Sequence, residues 1–535
     1  VRILPVNLST LLVELDDLSQ ALGLFDQLQR APISGVTNVI PAARTLLVSF
    51  MPARISAEQL SHTLMACPVS VGASHQHGEL IEIPVYYNGE DLDDVARHLS
   101  LSTDEVIRRH GAHEYQVAFC GFAPGFAYLA GGAGFDVPRR DTPRTRIPAG
   151  SVALAGTFSG IYPTDSPGGW QLIGTTPLEM WDIHREPAAL LQPGMRVCFS
   201  ATGDAPERVS ISVPRDTSEP STTDTTPCLE VLQPGLQSLF QDLGREGQTG
   251  QGVSGAGAMD KSALRSANRI VGNPSHSTVI ETAQGGLSLR CHRPTIVAVT
   301  GAQTTVSIKT AEGTRHDGAR WQPIELAEGD TLTLGATTAG VRCYLALRGG
   351  FDVAPVLGSC ATDTLAKLGP APLARGDTLH SAGLAITALS LGESPEFDLP
   401  RAGECITLDI IMGPRSDWFT DEALTLLCEQ TWQVTPHSDR VGIRLEGEHP
   451  LTRQRSEELP SEGTVTGALQ VPASGQPVLF LADHPLTGGY PVIACVADHH
   501  LDLAGQIPPG TTVRFHPLTR FAPLAGENSL HEVTS

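Results

Sequence analysis

The sequence is short of positive charge. Its 535 residues carry 36 Lys and Arg against 58 Asp and Glu, a net charge of -22. That balance argues against nucleic acid as a partner, because a phosphate backbone needs Lys and Arg gathered on one face. Small anionic ligands stay open, since a few local arginines outweigh a distant bulk charge. No run of about 18 apolar residues occurs, so no membrane span is expected. The opening Val1-Arg2-Ile3 lacks the basic and apolar regions of a secretory signal. The ten cysteines form no CxxC pair and sit mostly in apolar strand-like runs such as Arg342-Cys343-Tyr344-Leu345. They read as buried thiols of a cytoplasmic protein. There is no GxxxxGKS/T phosphate loop, no GxGxxG fingerprint and no GxSxG elbow.

What is abundant is Gly, with 54 residues, and Pro, with 40. Long helices cannot dominate such a chain, whereas short strands joined by turns can. Apolar residues make up 41%, enough for several cores, so two to four domains are expected. The segment PRDTSEPSTTDTTP at 214–227 has nothing to bury and reads as a linker. Before it, residues 1–90 alternate strand and helix signals and read as a small α/β domain. Strands are expected at 11–15, 45–50 and 80–86. A helix is expected at 18–28, and another after Ser56, with Gln59 in the capping-box position. Residues 91–213 begin with short helices at 91–99 and 102–110. From Tyr115 onward, strand pieces between Gly and Pro turns take over, which reads as a β-barrel. Residues 228–520 continue in that style, and 521–535 read as a tail. One unit recurs: a Gly turn followed by an alternating strand, at 191–200, 326–335, 373–380 and 507–517.

The residues that promise chemistry lie in loops. Arg139, Arg140, Arg144 and Arg146 fall within eight positions of an acidic chain. They either tie loops together or grip a carboxylate or phosphate in a bidentate fork. Ser166-Pro167-Gly168-Gly169 offers amides for an anion nest. Ser254 and Asp260 flank glycines just before a helix, whose amides suit an anion. Asp439, Arg440, Glu462, Asp483, Thr487 and Tyr490 stand between apolar strands, as turn, cap or site residues. His75 and His77, and the adjacent His499 and His500, have no third ligand at short spacing, so no metal is expected. Cys120 reads as packing.

The motifs GFAPGFAYL (121–129), TPRTRIPAGSVALAG (142–156) and GIYPTDSPGGWQLIG (160–174) resemble the first allophanate-hydrolase-subunit family, also described as the B subunit of 5-oxoprolinase or the sporulation kinase inhibitor family. QDLGREG (241–247), GAMDKSALRSANRIVGNP (257–274), SDRVGIRLEG (438–447), LPSEG (459–463) and ADHPLTGGYPVIA (482–494) resemble its partner family, the C subunit of 5-oxoprolinase or the kinase-inhibitor antagonist. The chain is similar to a fusion of the two, and to the carboxyltransferase region of urea carboxylase.

The resemblance implies a mainly β fold: an α/β N-terminal domain, one cyclophilin-like barrel in the first part and two linked barrel bodies in the second. It implies ATP-dependent opening of the 5-oxo-L-proline lactam to L-glutamate, with Mg2+ and a separate LamB/YcsF-like protein as the third, or A, subunit. A homo-oligomer is compatible with it. The alternatives are a carboxyltransferase-like module acting on an amide or urea-like substrate with a biotinylated partner, and a non-catalytic regulator of a histidine kinase. The biotin-attachment pattern is absent, since Ala258-Met259-Asp260-Lys261 does not have Lys between two Met. For the lactam chemistry, Arg144, Arg146, Gly168 and Gly169 are expected to bind anions. Arg440 is expected to clamp, Asp439 or Asp483 to handle protons, and Tyr162 and Tyr490 to donate hydrogen bonds.

Overall fold

A computed structural model describes residues 1–68, 78–132, 135–140, 142–203 and 227–524. The expected linker apart from Pro227, His75, His77 and residues 525–535 lie outside these.

The chain opens with an antiparallel sheet ordered Arg2–Asn7, Thr10–Glu14, Thr45–Phe50, Val36–Pro41. Two helices cover one face: α1 (Leu18–Arg30), capped by Asp17, and α2 (Ala57–Ala66), whose Ser56–Gln59 capping box forms as the spacing predicts. Alternation along the strands sorts their side chains. Leu11, Val13 and Val48 face α1 and α2, while Leu4, Leu12 and Leu47 point the other way, against Leu486 and Cys495. The N-terminal sheet is therefore buried on both faces, the second against the far end of the chain.

The next body is a seven-stranded sheet. Its order is Gln171–Thr175, Ser151–Ala155, Phe158–Ile161, Ala127–Ala130, Glu114–Cys120, Arg196–Ala201, Leu80–Val85. The helices α3 (Leu92–His98) and α4 (Thr103–Ala112) pack on it. The strand at 80–85, expected in the N-terminal unit, belongs here. It pairs in parallel with Arg196–Ala201, and its Ile83 and Val85 join the core of Val95, Val106 and Phe199.

The second part holds two more β bodies. In the first, a six-stranded and a five-stranded sheet share the core of Val231, Leu289, Val299 and Leu345, and α5 (Lys261–Ile270) lies on the outer face. The last is a closed seven-stranded barrel with α6 (Asp421–Glu429) and α7 (Leu501–Ala504). Its final strand, Thr512–Thr519, runs parallel to its first, Cys405–Met412, as Arg196–Ala201 does to Leu80–Val85. The recurring turn has one physical basis. Gly194, Gly329, Gly376 and Gly510 have φ of 91°, 87°, 93° and 87°, a region that side chains disfavour. The chain is thus mainly β, with an α/β unit at its start. Among the described residues, no helix is long and apolar enough to cross a membrane.

Candidate functional site

The motifs of the two parts converge on one junction. At its base lies a polar core built by alternation. Arg342 and Tyr344 share one face of the strand Ala339–Leu347, while Cys343, Leu345 and Leu347 fill the core behind it. Glu281 is the cross-strand partner of Tyr344. It accepts from the Tyr344 hydroxyl at 2.8 Å and from the Met259 amide at 3.0 Å. Arg440, 2% exposed, donates to Glu281, to the Gly257 carbonyl, and through Nε and Nη2 to Asp483 at 3.0 and 2.9 Å. Asp483, fully buried, also accepts from the Thr364 amide and hydroxyl at 2.8 and 2.7 Å.

These contacts correct two expectations. Arg440 has its guanidinium committed inside the protein, and both oxygens of Asp483 accept from the chain itself. Asp439 is corrected too: it is exposed, and its Oδ1 accepts from the Val441 and Gly442 amides at 2.9 and 3.1 Å, closing a turn. The amides opening α5 hold carboxylates of the chain itself. Asp260 takes Ala263 at 2.8 Å, and Asp502 takes Lys261 and Ser262 at 2.9 and 3.0 Å.

The arginine cluster divides. Arg144 grips Asp91 with both Nη atoms at 2.8 Å and reaches Glu90 at 3.0 Å. Arg140 reaches the same Asp91 at 2.5 Å, and the Leu172 amide completes its shell at 2.7 Å. Burial opposes the ionisation of Asp91, but Arg144, the Leu172 amide and Arg140 outweigh it and hold the carboxyl below its usual range. Arg146 forks Asp165 at 3.0 and 2.7 Å on the surface. Arg144 and Arg146, expected to bind a ligand, are therefore paired within the fold. The Gly168–Gly169 nest does not form. Ser166–Gly168 is a strand paired with Arg144–Ile147, and extended amides point alternately rather than converging.

Arg139 differs from its three neighbours. It is half-buried, and among the described residues it has no carboxylate or hydrogen-bond partner. It lies where loop 121–128 of the first part meets loops 459–464 and 484–490 of the second. Its charge acts on the hydroxyls of Tyr128 and Tyr162. Burial raises both phenols above their usual range, so both stay protonated as donors, while Arg139 pulls the other way. Tyr128 also meets Ser461 and Thr487. Tyr162 is buried against Gly168, where a Cβ would stand 2.2 Å from its hydroxyl. Tyr490, by contrast, is 46% exposed beneath Arg453.

The junction is tightly held. The Phe122 amide donates to Thr487 Oγ1 at 3.0 Å, the Gly125 amide to the Gln251 carbonyl at 2.8 Å, and the Ala43 amide to the Ser461 carbonyl at 3.2 Å. Phe122 has φ of 65°, an outlier for a bulky residue, and strain of this kind gathers at functional sites. Sequence reasoning noticed Arg139 and Thr487 but did not select them, and it passed over Tyr128 and Ser461. Only the signal of four arginines in eight positions pointed here.

Elsewhere, His499 Nε2 lies 2.9 Å from Asp409 Oδ2, and His516 Nδ1 lies 2.9 Å from Oδ1. Asp409 supplies the third group that the sequence lacked beside His499 and His500. His500 Nδ1, however, accepts from the Asp409 amide at 2.9 Å, which commits that ring. Cys120 is buried, its thiol pushed up to about 12 by burial, as suits packing. Two open grooves of about 450 and 600 Å3 lie on the 228–383 body and hold none of the junction residues.

With this geometry in place, the class is clear. Residues 1–191 match the family described as carboxyltransferase domain, subdomain C and D, and residues 251–517 match carboxyltransferase domain, subdomain A and B. The chain belongs to this family, with both halves fused. The second half is 34% identical over 294 residues to the C subunit of 5-oxoprolinase from Escherichia coli K12, covering 54% of this chain and 90% of that protein. The first is 38% identical over 187 residues to the B subunit of 5-oxoprolinase from Bacillus subtilis, covering 32% of this chain and 78% of that protein. Urea amidolyase of Saccharomyces cerevisiae is 32% identical over 311 residues, which are only 17% of its length. The solved structure of TTHA0988 has the same fused architecture: TM-score 0.81, 34% identity, 95% of this chain and 99% of that one.

Proposed function

We propose that this chain supplies the B and C parts of an ATP-dependent 5-oxoprolinase and holds the lactam at the junction of its two halves. One observation carries the reading. The stretches that match the two carboxyltransferase families, 1–191 and 251–517, lie apart in sequence, and they meet where the Phe122 amide donates to Thr487 Oγ1 and Arg139 lies against Gly489. A lactam is a poor electrophile. ATP, when bound, supplies activation of its oxygen. This chain's residues orient the ring, donate protons from Tyr128 or Tyr162, and neutralise developing negative charge with Arg139. The extended ribbon at Ser166–Gly168 does not fit a triphosphate, so no residue of this chain is assigned to the nucleotide. A separate LamB/YcsF-like protein completes the enzyme.

The test is glutamate release from 5-oxo-L-proline with ATP, with and without that third protein. ATP-dependent release is expected with it, and the absence of release under both conditions sinks the reading. A second reading, a carboxyltransferase module served by a biotinylated partner, is favoured by the likeness to urea amidolyase. Consumption of carboxybiotin would select it.

A further inference from the structure

We infer that Asp409, His499 and His516 form a binding site for a divalent transition metal such as Zn2+, on the outside of the C-terminal barrel and apart from the junction. Three elements supply the ligands. Asp409 lies on the first barrel strand, and its cross-strand partner on the last strand is His516. Alternation turns Leu408, Ile410, Val513 and Phe515 into the barrel core, which leaves Asp409 and His516 side by side on the outer surface. His499 comes from the turn Asp498–His500 that leads into α7. Both backbone groups of Asp409 fix this turn. Its carbonyl accepts from the Ala497 amide at 2.9 Å, and its amide donates to His500 Nδ1 at 2.9 Å.

Asp409, His499 and His500 each bring a possible ligand atom within 4.8 Å of the others. His500 drops out, because a ring that accepts at Nδ1 carries its proton on Nε2 and has no lone pair left for a metal. Its place is to orient His499, whose ring centroid lies 4.3 Å from its own. His516 replaces it on the far side of the carboxylate. His499 Nε2 stands 2.9 Å from Oδ2, and His516 Nδ1 stands 2.9 Å from Oδ1. Donor atoms held by one zinc at about 2.0–2.2 Å lie about 3 Å from each other, which is this spacing. Both rings are exposed, so an ion can reach them and they can close on it. Asp409 is also available in a way that other carboxylates of this chain are not. Asp91, Glu14 and Asp483 each hold an arginine, whereas among the described residues Asp409 pairs only with histidines. Two imidazoles and a carboxylate suit zinc, nickel or copper, while Mg2+ prefers oxygen ligands and keeps its water. A bound metal would tie the first and last barrel strands to α7. The Asp502 carboxylate of α7 holds the opening amides of α5 on the neighbouring body, so the tie would extend to the join between the two bodies.

The experiment titrates Zn2+, and separately Mg2+, into the chelator-stripped full chain by calorimetry. Wild type should take up Zn2+ at this site and show no comparable binding of Mg2+. Asp409→Asn and His499→Ala should each lower the zinc affinity about a hundredfold, and His516→Ala about tenfold or more. His62→Ala, an exposed histidine on α2, should leave it unchanged. Zinc should raise the melting temperature of wild type and of His62→Ala but not of the other three variants, whose metal-free melting temperatures should match that of wild type. No zinc uptake by wild type, equal uptake of Mg2+, or an unchanged zinc affinity in any of the three site variants overturns the inference.

Discussion

Arg440 and Arg139 carry the same group and serve opposite ends. Arg440 is enclosed by Asp483, Glu281 and the Gly257 carbonyl, so its charge is spent on holding loops 257–260 and 481–484 to the strand Val279–Ala283. Replacing it by Met leaves Asp483 buried without its cation and Glu281 with Arg342 alone, at 3.6 Å. Arg440→Met should cost about 3–5 kcal/mol in urea unfolding, and a loss below about 1 kcal/mol would show that the pair is dispensable. Asp260 gives a second prediction at this scale. Burial, and then Asp502, push its carboxyl up to about 7 from 3.8, against the pull of Gln506 and the Ala263 amide. The folded state therefore holds this proton more tightly than the unfolded state does. The resulting stability is complete below about pH 4 and is lost as pH rises through about 7. Asp260→Asn keeps a capping oxygen but cannot titrate. Its stability relative to wild type, read from melting temperatures, should climb between about pH 4 and about pH 7 and level off above.

At the scale of elements, one carboxylate fixes the arginine loop. Asp91 precedes α3 and holds Arg140, Arg144 and the Leu172 amide, which pins Arg140, next to Arg139, and the start of the strand Arg144–Ile147. In Asp91→Asn, hydrogen exchange of amides 144–147 should quicken about tenfold or more, with a global loss of about 3 kcal/mol. Unchanged protection would mean that strand pairing alone sets the loop. Elements with local causes were legible in advance. Ser56 with Gln59 opens α2, and the Gly turns precede the strands at 196, 331, 378 and 512. The edge strands Arg2–Asn7 and Val36–Pro41 gave little local signal. The strand expected at 80–86 forms, but in the seven-stranded sheet rather than the N-terminal unit, because partner choice depends on residues about 115 positions away.

For the whole molecule, the two halves are joined by more than the chain. Arg415, on the C-terminal barrel, donates to Glu14 of the N-terminal sheet at 2.9 Å and to Glu462. Arg2 and Arg44 hold the same Glu14 at 2.9 and 2.8 Å. Burial opposes the ionisation of Glu14, and Arg415, Arg2 and Arg44 outweigh it. Expressed as separate chains, residues 1–203 and 227–535 should copurify one to one. Glu14→Gln should weaken that association about a hundredfold, measured by surface plasmon resonance, because Arg415 loses a buried partner. Halves that do not associate would show that the fusion alone keeps the junction together.

The β-rich class, the Ser56 cap and the glycine turns could be read in advance, because each follows from residues within a few positions of one another. The sequence also brought the family motifs and the arginine cluster into view. Which charges are paired within the fold was not legible along the chain. Asp91 takes Arg144 across 53 positions, Asp483 takes Arg440 across 43, and Glu14 takes Arg415 across 401. Arg139 differs from its neighbours in having no acid opposite it among the described residues. Whether an ionic side chain binds its own fold or a ligand depends on what folding places within a few ångströms and shields from water, and spacing along the chain carries no record of that.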